Sequence, residues 1–128
     1  MHAKHDAILM DPLYHERNVD TNQKIGFSSF STEIQKQLQA DAFDSICEHL
    51  QQQSQYVTNI AMMTVAGFCR NCLAKWLVLE ARKISAARKQ HLPALDAFGY
   101  EDAAEVVYGC SYSDWKARYR VDANDEQM

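Results

Sequence analysis

With 128 residues, of which 47% are hydrophobic, the chain is long enough to close one packed core and too short for several. A formal net charge of −4 supplies no basic field for phosphates, so nucleic acid is not an expected partner. The longest apolar stretch, Ile60 to Leu79, is interrupted by Thr64, Arg70, Asn71 and Lys75 and falls short of the run of about 18 that a membrane span requires, so no membrane contact is expected either.

Residues 1–30 are polar and aperiodic apart from a small clump, Ile8, Leu9, Met10, Leu13 and Tyr14, and read as a flexible N-terminal tail. Asp6, Asp11, Glu16 and Asp20 argue against a secretory signal and against an acidic-poor transit peptide, which makes the cytoplasm the expected address. There Cys47, Cys69, Cys72 and Cys110 are expected as free thiols. His2, His5 and His15 lie in the tail, where metal binding would be adventitious.

A single helical domain is expected over residues 31–121. Thr32 and Gln35 have capping-box spacing, and Ile34, Leu38, Ala42, Phe43, Ile46, Cys47 and Leu50 recur at three and four residues. This predicts a first helix from Thr32 to about Gln53 with one buried stripe. After a polar link, Thr58 or Asn59 caps a second long helix that runs to about Lys83. Met62, Val65, Ala66, Cys69, Cys72, Leu73, Trp76 and Leu77 fall on one broad face of it, with Cys69 at the centre. The opposite side, with Met63, Gly67, Ala74, Val78 and Ala81, is also apolar, and the small residues there would admit a second helix closely.

Residues 84–95 read as a helix end and a connection broken at Pro93. A third helix, Tyr100 to Tyr108, ends at Gly109 in a left-handed cap. A fourth starts at Ser111, with Asp114 in capping-box position, and turns Trp115 and Tyr119 inward. Residues 122–128 are expected to fray. No run alternates as a strand does, so the fold class is all-α: a small bundle of two long and two short helices.

Cys69 and Cys72, three apart on a helix, point the same way and have the spacing to share a metal ion or a redox reaction. The first reading of both is core packing, since free cysteines are commonly buried. A metal site needs further ligands, and His49, His91, Cys47 and Cys110 are the candidates; Cys47 and His49 point about 160° apart on one helix and do not face the same ion. The preferred set is Cys69, Cys72 and His49, holding zinc or iron. A redox site needs a thiol near a helix N-terminus, whereas Cys69 is expected almost three turns inside the second helix.

Arg70 and Asn71 interrupt an apolar helix and need partners: solvent, an interface or an anion. Trp76, Trp115, Tyr108, Tyr112 and Tyr119 read as core before they read as a ligand pocket. Glu101 and Asp102 are adjacent and face apart, which suits no acid–base pair. With no phosphate loop or nucleophile elbow, nothing supports an enzyme assignment and no catalytic residue is named.

The segments MMTVAGFCRNCLAKW from Met62 to Trp76 and VYGCSYSDWKARY from Val107 to Tyr119 resemble the domain of unknown function 1244 family, over about Glu33 to Tyr119. The resemblance implies a small all-helical fold with His49, Leu50, Gly67, Cys69, Arg70, Asn71, Cys72, Gly109 and Trp115 as characteristic positions, and it implies no activity. The first thirty residues are additional to the family pattern, the link from Ile84 to Ala97 is longer, and Cys110-Ser111 stands in place of Met-Pro.

The leading expectation is a non-enzymatic helical module that self-associates or docks a protein through Met63, Gly67, Arg70, Asn71, Ala74 and Val78. The alternative is a metal-binding or thiol-reactive site on Cys69, Cys72 and His49.

Overall fold

The computed structural model describes residue 11, residues 25–88 and residues 92–119. The N-terminal histidines, His91, most of the expected tail and the expected frayed end at residues 122–128 lie outside the described residues. Among the described residues every regular element is helical: α1 (Thr32–Gln52), α2 (Asn59–Ala66), α3 (Arg70–Ala87), α4 (Pro93–Ala97), α5 (Tyr100–Tyr108) and α6 (Tyr112–Tyr119) follow one 3-10 turn at Phe27–Ser29.

The chain divides into two compact units, up to Lys36 and from Gln37 onward. In the first, the 3-10 turn is held by the Ser29 hydroxyl donating to the Gly26 carbonyl at 2.6 Å. The cap of α1 is Ser31, whose hydroxyl accepts from the Ile34 amide at 3.2 Å, one residue earlier than the expected Thr32.

In the second unit, the apolar stripe of α1 is withdrawn from solvent only from Phe43 through Cys47 to Leu50, and Leu38 and Ile46 stay exposed. The Cys47 thiol is buried deeply enough that desolvation, with Asp44 nearby, raises it above its ordinary value. Two long helices are present, but the second differs from expectation. It breaks at Gly67, so α2 is a separate helix of 8 residues and α3 one of 18 residues. Gly67 sits at φ 79° as the left-handed cap of α2, its amide closing on the Met63 carbonyl. Phe68 and Cys69 then restart the chain.

Pro93, expected as a breaker, instead opens α4 at its first position, where the missing amide costs nothing. Arg82 and Ser85 of α3 hold this short helix by hydrogen bonds to the Leu95 carbonyl at 2.6 Å and the Asp96 carboxylate at 2.7 Å. Helices α5 and α6 match expectation: Gly109 caps α5 at φ 76°, and the Ser111 hydroxyl accepts from the Asp114 amide at 3.1 Å.

The core forms where α3 packs on α5 and α5 on α6. Ala74 of α3 and Ala103, Ala104 and Val107 of α5 have no exposed surface, so the two helix backbones approach through small side chains. Trp115 of α6 closes the end of this layer against Tyr108, ring centroids 4.8 Å apart.

Candidate functional site

The site is built on the joint between α2 and α3. Thr58 starts α2 by accepting from the Ala61 amide at 3.0 Å. After the 8 residues of α2, Gly67 turns the backbone into the left-handed region, and Cys69, in extended conformation at φ −140°, becomes the N-cap of α3. Cys69 is therefore at a helix start and not three turns inside a helix, and Cys72 is in the first turn. Cys69 is buried and Cys72 half-buried. The Cys69 side chain makes no cap hydrogen bond, a thiol being a weak acceptor, and the Arg70 amide at the start of α3 donates instead to Asn59 Oδ1 at 3.4 Å.

Arg70, the first residue of α3, has 0% exposure, and this excludes the solvent role considered for it. One of its terminal nitrogens donates to the Leu50 carbonyl at 2.8 Å, near the end of α1 where a helix favours positive charge. The other donates to the Val57 carbonyl at 2.7 Å and to Asn59 Oδ1 at 3.1 Å. The guanidinium also lies over the Trp115 ring, 5.0 Å from its centroid. None of these partners is a carboxylate, and Nε has no hydrogen-bond partner. Burial lowers the guanidinium from its ordinary range, while Tyr108 and Cys69 act in the opposite direction.

Asn71 is bound on its other side by tyrosines. Its Oδ1 accepts from the Tyr100 hydroxyl and from the Tyr108 hydroxyl at 2.6 Å. Asn59 Nδ2 donates to the Tyr108 hydroxyl at 3.0 Å, so Arg70, Asn59, Tyr108, Asn71 and Tyr100 form one connected polar network. Desolvation pushes Tyr100 up to about 12 and Tyr108 further, the latter partly offset by its hydrogen bond with Asn59. Both hydroxyls are thus neutral donors at physiological pH.

The remaining candidates separate. His49 is exposed on α1, and among the described residues no three His, Cys, Asp or Glu side chains are grouped as a metal ion requires. The set Cys69, Cys72 and His49 is therefore not assembled for zinc or iron. Of the residues expected at an interaction surface, Arg70 and Ala74 are fully buried, Val78 packs against the core and Asn71 is taken up by the tyrosines. Only Met63 and Gly67 face solvent. The small-residue side of α3 is consumed within the chain by α5.

Sequence reasoning did not find Asn59, Ser54, Gln51 and Tyr100 as partners. Ser54 Oγ accepts from Trp115 Nε1 at 2.9 Å and closes on the Gln51 carbonyl at 2.8 Å. The Gln51 amide donates to the Val106 and Val107 carbonyls at the end of α5. The available signal was Arg70 and Asn71 themselves: two polar residues in an apolar run require polar partners, and two of those partners, Asn59 and Tyr100, were read only as a helix cap and a helix start.

No curated protein matches the chain. The sequence model of the family described as a protein of unknown function (DUF1244) matches residues 57–128, beginning later than Glu33 and taking in both glycine joints, the two cysteines of the first turn and the arginine network. Because the match covers more than half of the 128 residues, the chain belongs to the DUF1244 family.

Proposed function

We propose that this protein is a non-enzymatic helical interaction module that pairs with a second copy of itself through the outer side of α3. One observation carries the reading: the inner side of α3 is consumed by the core, yet Trp76 remains 51% exposed on the outer side, with Leu79 exposed beside it. Phe68 packs against Trp76 at a tilt, ring centroids 5.8 Å apart. A half-exposed tryptophan beside a second aromatic ring and an exposed leucine has the composition of an interface centre.

Charge favours a second copy as the occupant. Lys75, Glu80 and Lys83 flank the stripe, and Glu80 and Lys83 pair at 3.0 Å. Both signs lie on one face, so a twofold crossing of two α3 helices sets Glu80 of each against lysines of the other.

Sedimentation velocity of the full chain over a wide concentration range tests this. The expected result is a concentration-dependent dimer that Trp76→Glu converts to monomer with helical content unchanged. A wild-type chain that stays monomeric at every concentration would overturn the proposal, as would a dimer indifferent to Trp76→Glu.

A further inference from the structure

We infer that Cys69 and Cys72 are a dithiol–disulfide pair that undergoes exchange with small disulfides of the glutathione class. The four cysteines occupy different settings. Cys47 is buried on α1, and Cys110 is half-buried with its thiol directed at the Tyr108 carbonyl at 3.9 Å. Cys69 and Cys72 alone share one helical turn, as N-cap and third residue of α3. An N-cap side chain lies over the first turn and reaches toward the third residue, so a small local adjustment brings the two sulfurs to disulfide geometry. No cap hydrogen bond ties Cys69 in place against that adjustment.

Two further observations point to the same pair. The equivalent position after Gly109 holds Ser111, which does cap its helix, so the thiol at 69 forgoes a cap that serine supplies elsewhere in the same chain. Next to Cys69 is the fully buried Arg70, whose hydrogen-bond partners include no carboxylate and whose Nε is unpartnered. An anionic sulfur at the cap position would sit beside that cation and at the positive end of α3.

Exposure sets the order of events. The half-buried Cys72, as thiolate, attacks one sulfur of the small disulfide; a mixed disulfide forms and one small thiolate leaves. The buried Cys69, as thiolate, then attacks Cys72 Sγ, forming the internal disulfide and expelling the second small thiolate. In sum, one protein dithiol is oxidised by two electrons and one small disulfide is reduced to two thiols, with the two protons passing to the leaving thiolates. This activity is independent of self-association.

The test is peptide mapping of the folded full chain after equilibration in glutathione buffers of graded ratio, acid quench and alkylation. The expected result is a Cys69–Cys72 linkage that appears as the buffer becomes oxidising and disappears in excess reduced glutathione. Cys47 and Cys110 should react about tenfold more slowly or less. Cys69→Ser should trap the mixed disulfide on Cys72. Absence of the linkage in wild type at every ratio would overturn the inference, as would scattered linkages among all four cysteines. Because the wild-type map decides the matter, misfolding of the variant does not obscure it.

Discussion

The two joints of this molecule have the same construction and different contents. After α2 the chain runs Gly67, Phe68, Cys69 and into α3; after α5 it runs Gly109, Cys110, Ser111 and into α6. Each begins with a left-handed glycine, at φ 79° and φ 76°. At the second joint the cap is a hydroxyl with its amide partner in place. At the first it is a thiol that caps nothing, followed by a buried cation that binds carbonyls of other segments. Both joints receive long-range bonds, the second from Gln51 and the first through Arg70, but only the second also has a local side-chain cap. The first joint is thus the one of the two where a local capping rule is broken.

The largest expected effect is at the residue that anchors the first joint. Arg70→Ala strands the Leu50 and Val57 carbonyls and leaves a cavity under Trp115, so stability should fall by about 3 kcal/mol or more, read from the urea midpoint. A loss below about 1 kcal/mol would show that the network is dispensable. Next are the glycines. A Cβ on Gly109 would lie 2.8 Å from Gln51 Oε1, whereas one on Gly67 meets nothing within 4 Å. Gly67→Ala should therefore cost about 1 kcal/mol for the left-handed backbone alone, and Gly109→Ala about 2 kcal/mol, because Gln51 must also leave the α5 carbonyls. Equal losses would mean that Gln51 yields freely.

The caps should respond in opposite directions. Ser111→Ala removes a cap and is expected to cost about 1 kcal/mol. Cys69→Ser creates one and should be neutral or stabilising by less than about 1 kcal/mol, measured in the same denaturation series. The last effect is confined to high pH. Tyr100 ordinarily loses its proton near 10 and in the fold does so at about 12. The neutral form is thus favoured by folding: its contribution is complete below pH 10 and is lost as pH rises toward 12. Tyrosinate absorbance and urea midpoints followed together should show this decline. A flat midpoint across that window would show that the Asn71 pocket does not discriminate.

The helical class, both ends of α5, the start of α6 and the inward Trp115 were legible because local signals there agree: Gly109 ends one pattern and Ser111, two residues on, caps the next. Gly67 was not legible as a break because apolar spacing runs straight through it, from Met62 and Val65 to Cys69 and Leu73, although Val65 is exposed where the other three are buried. This one misreading displaced the site, since it put Cys69 deep in a helix. Pro93 was read as an ending because proline breaks and starts helices with the same residue. The stripe on α1 was read as wholly buried because periodicity identifies a face without identifying what covers it: Leu38 and Ile46 share the spacing of Leu50 without its burial.

The arginine network also bears on where this domain may be cut. The family match begins at Val57, yet the Leu50 carbonyl that receives Arg70 and the Ser54 hydroxyl that receives Trp115 lie before it. A fragment trimmed to the matched span would leave the guanidinium and the indole each without an acceptor that the full chain supplies. The matched segment and the set of residues that satisfy its polar groups are therefore different lengths of chain, and the end of α1 belongs to the second.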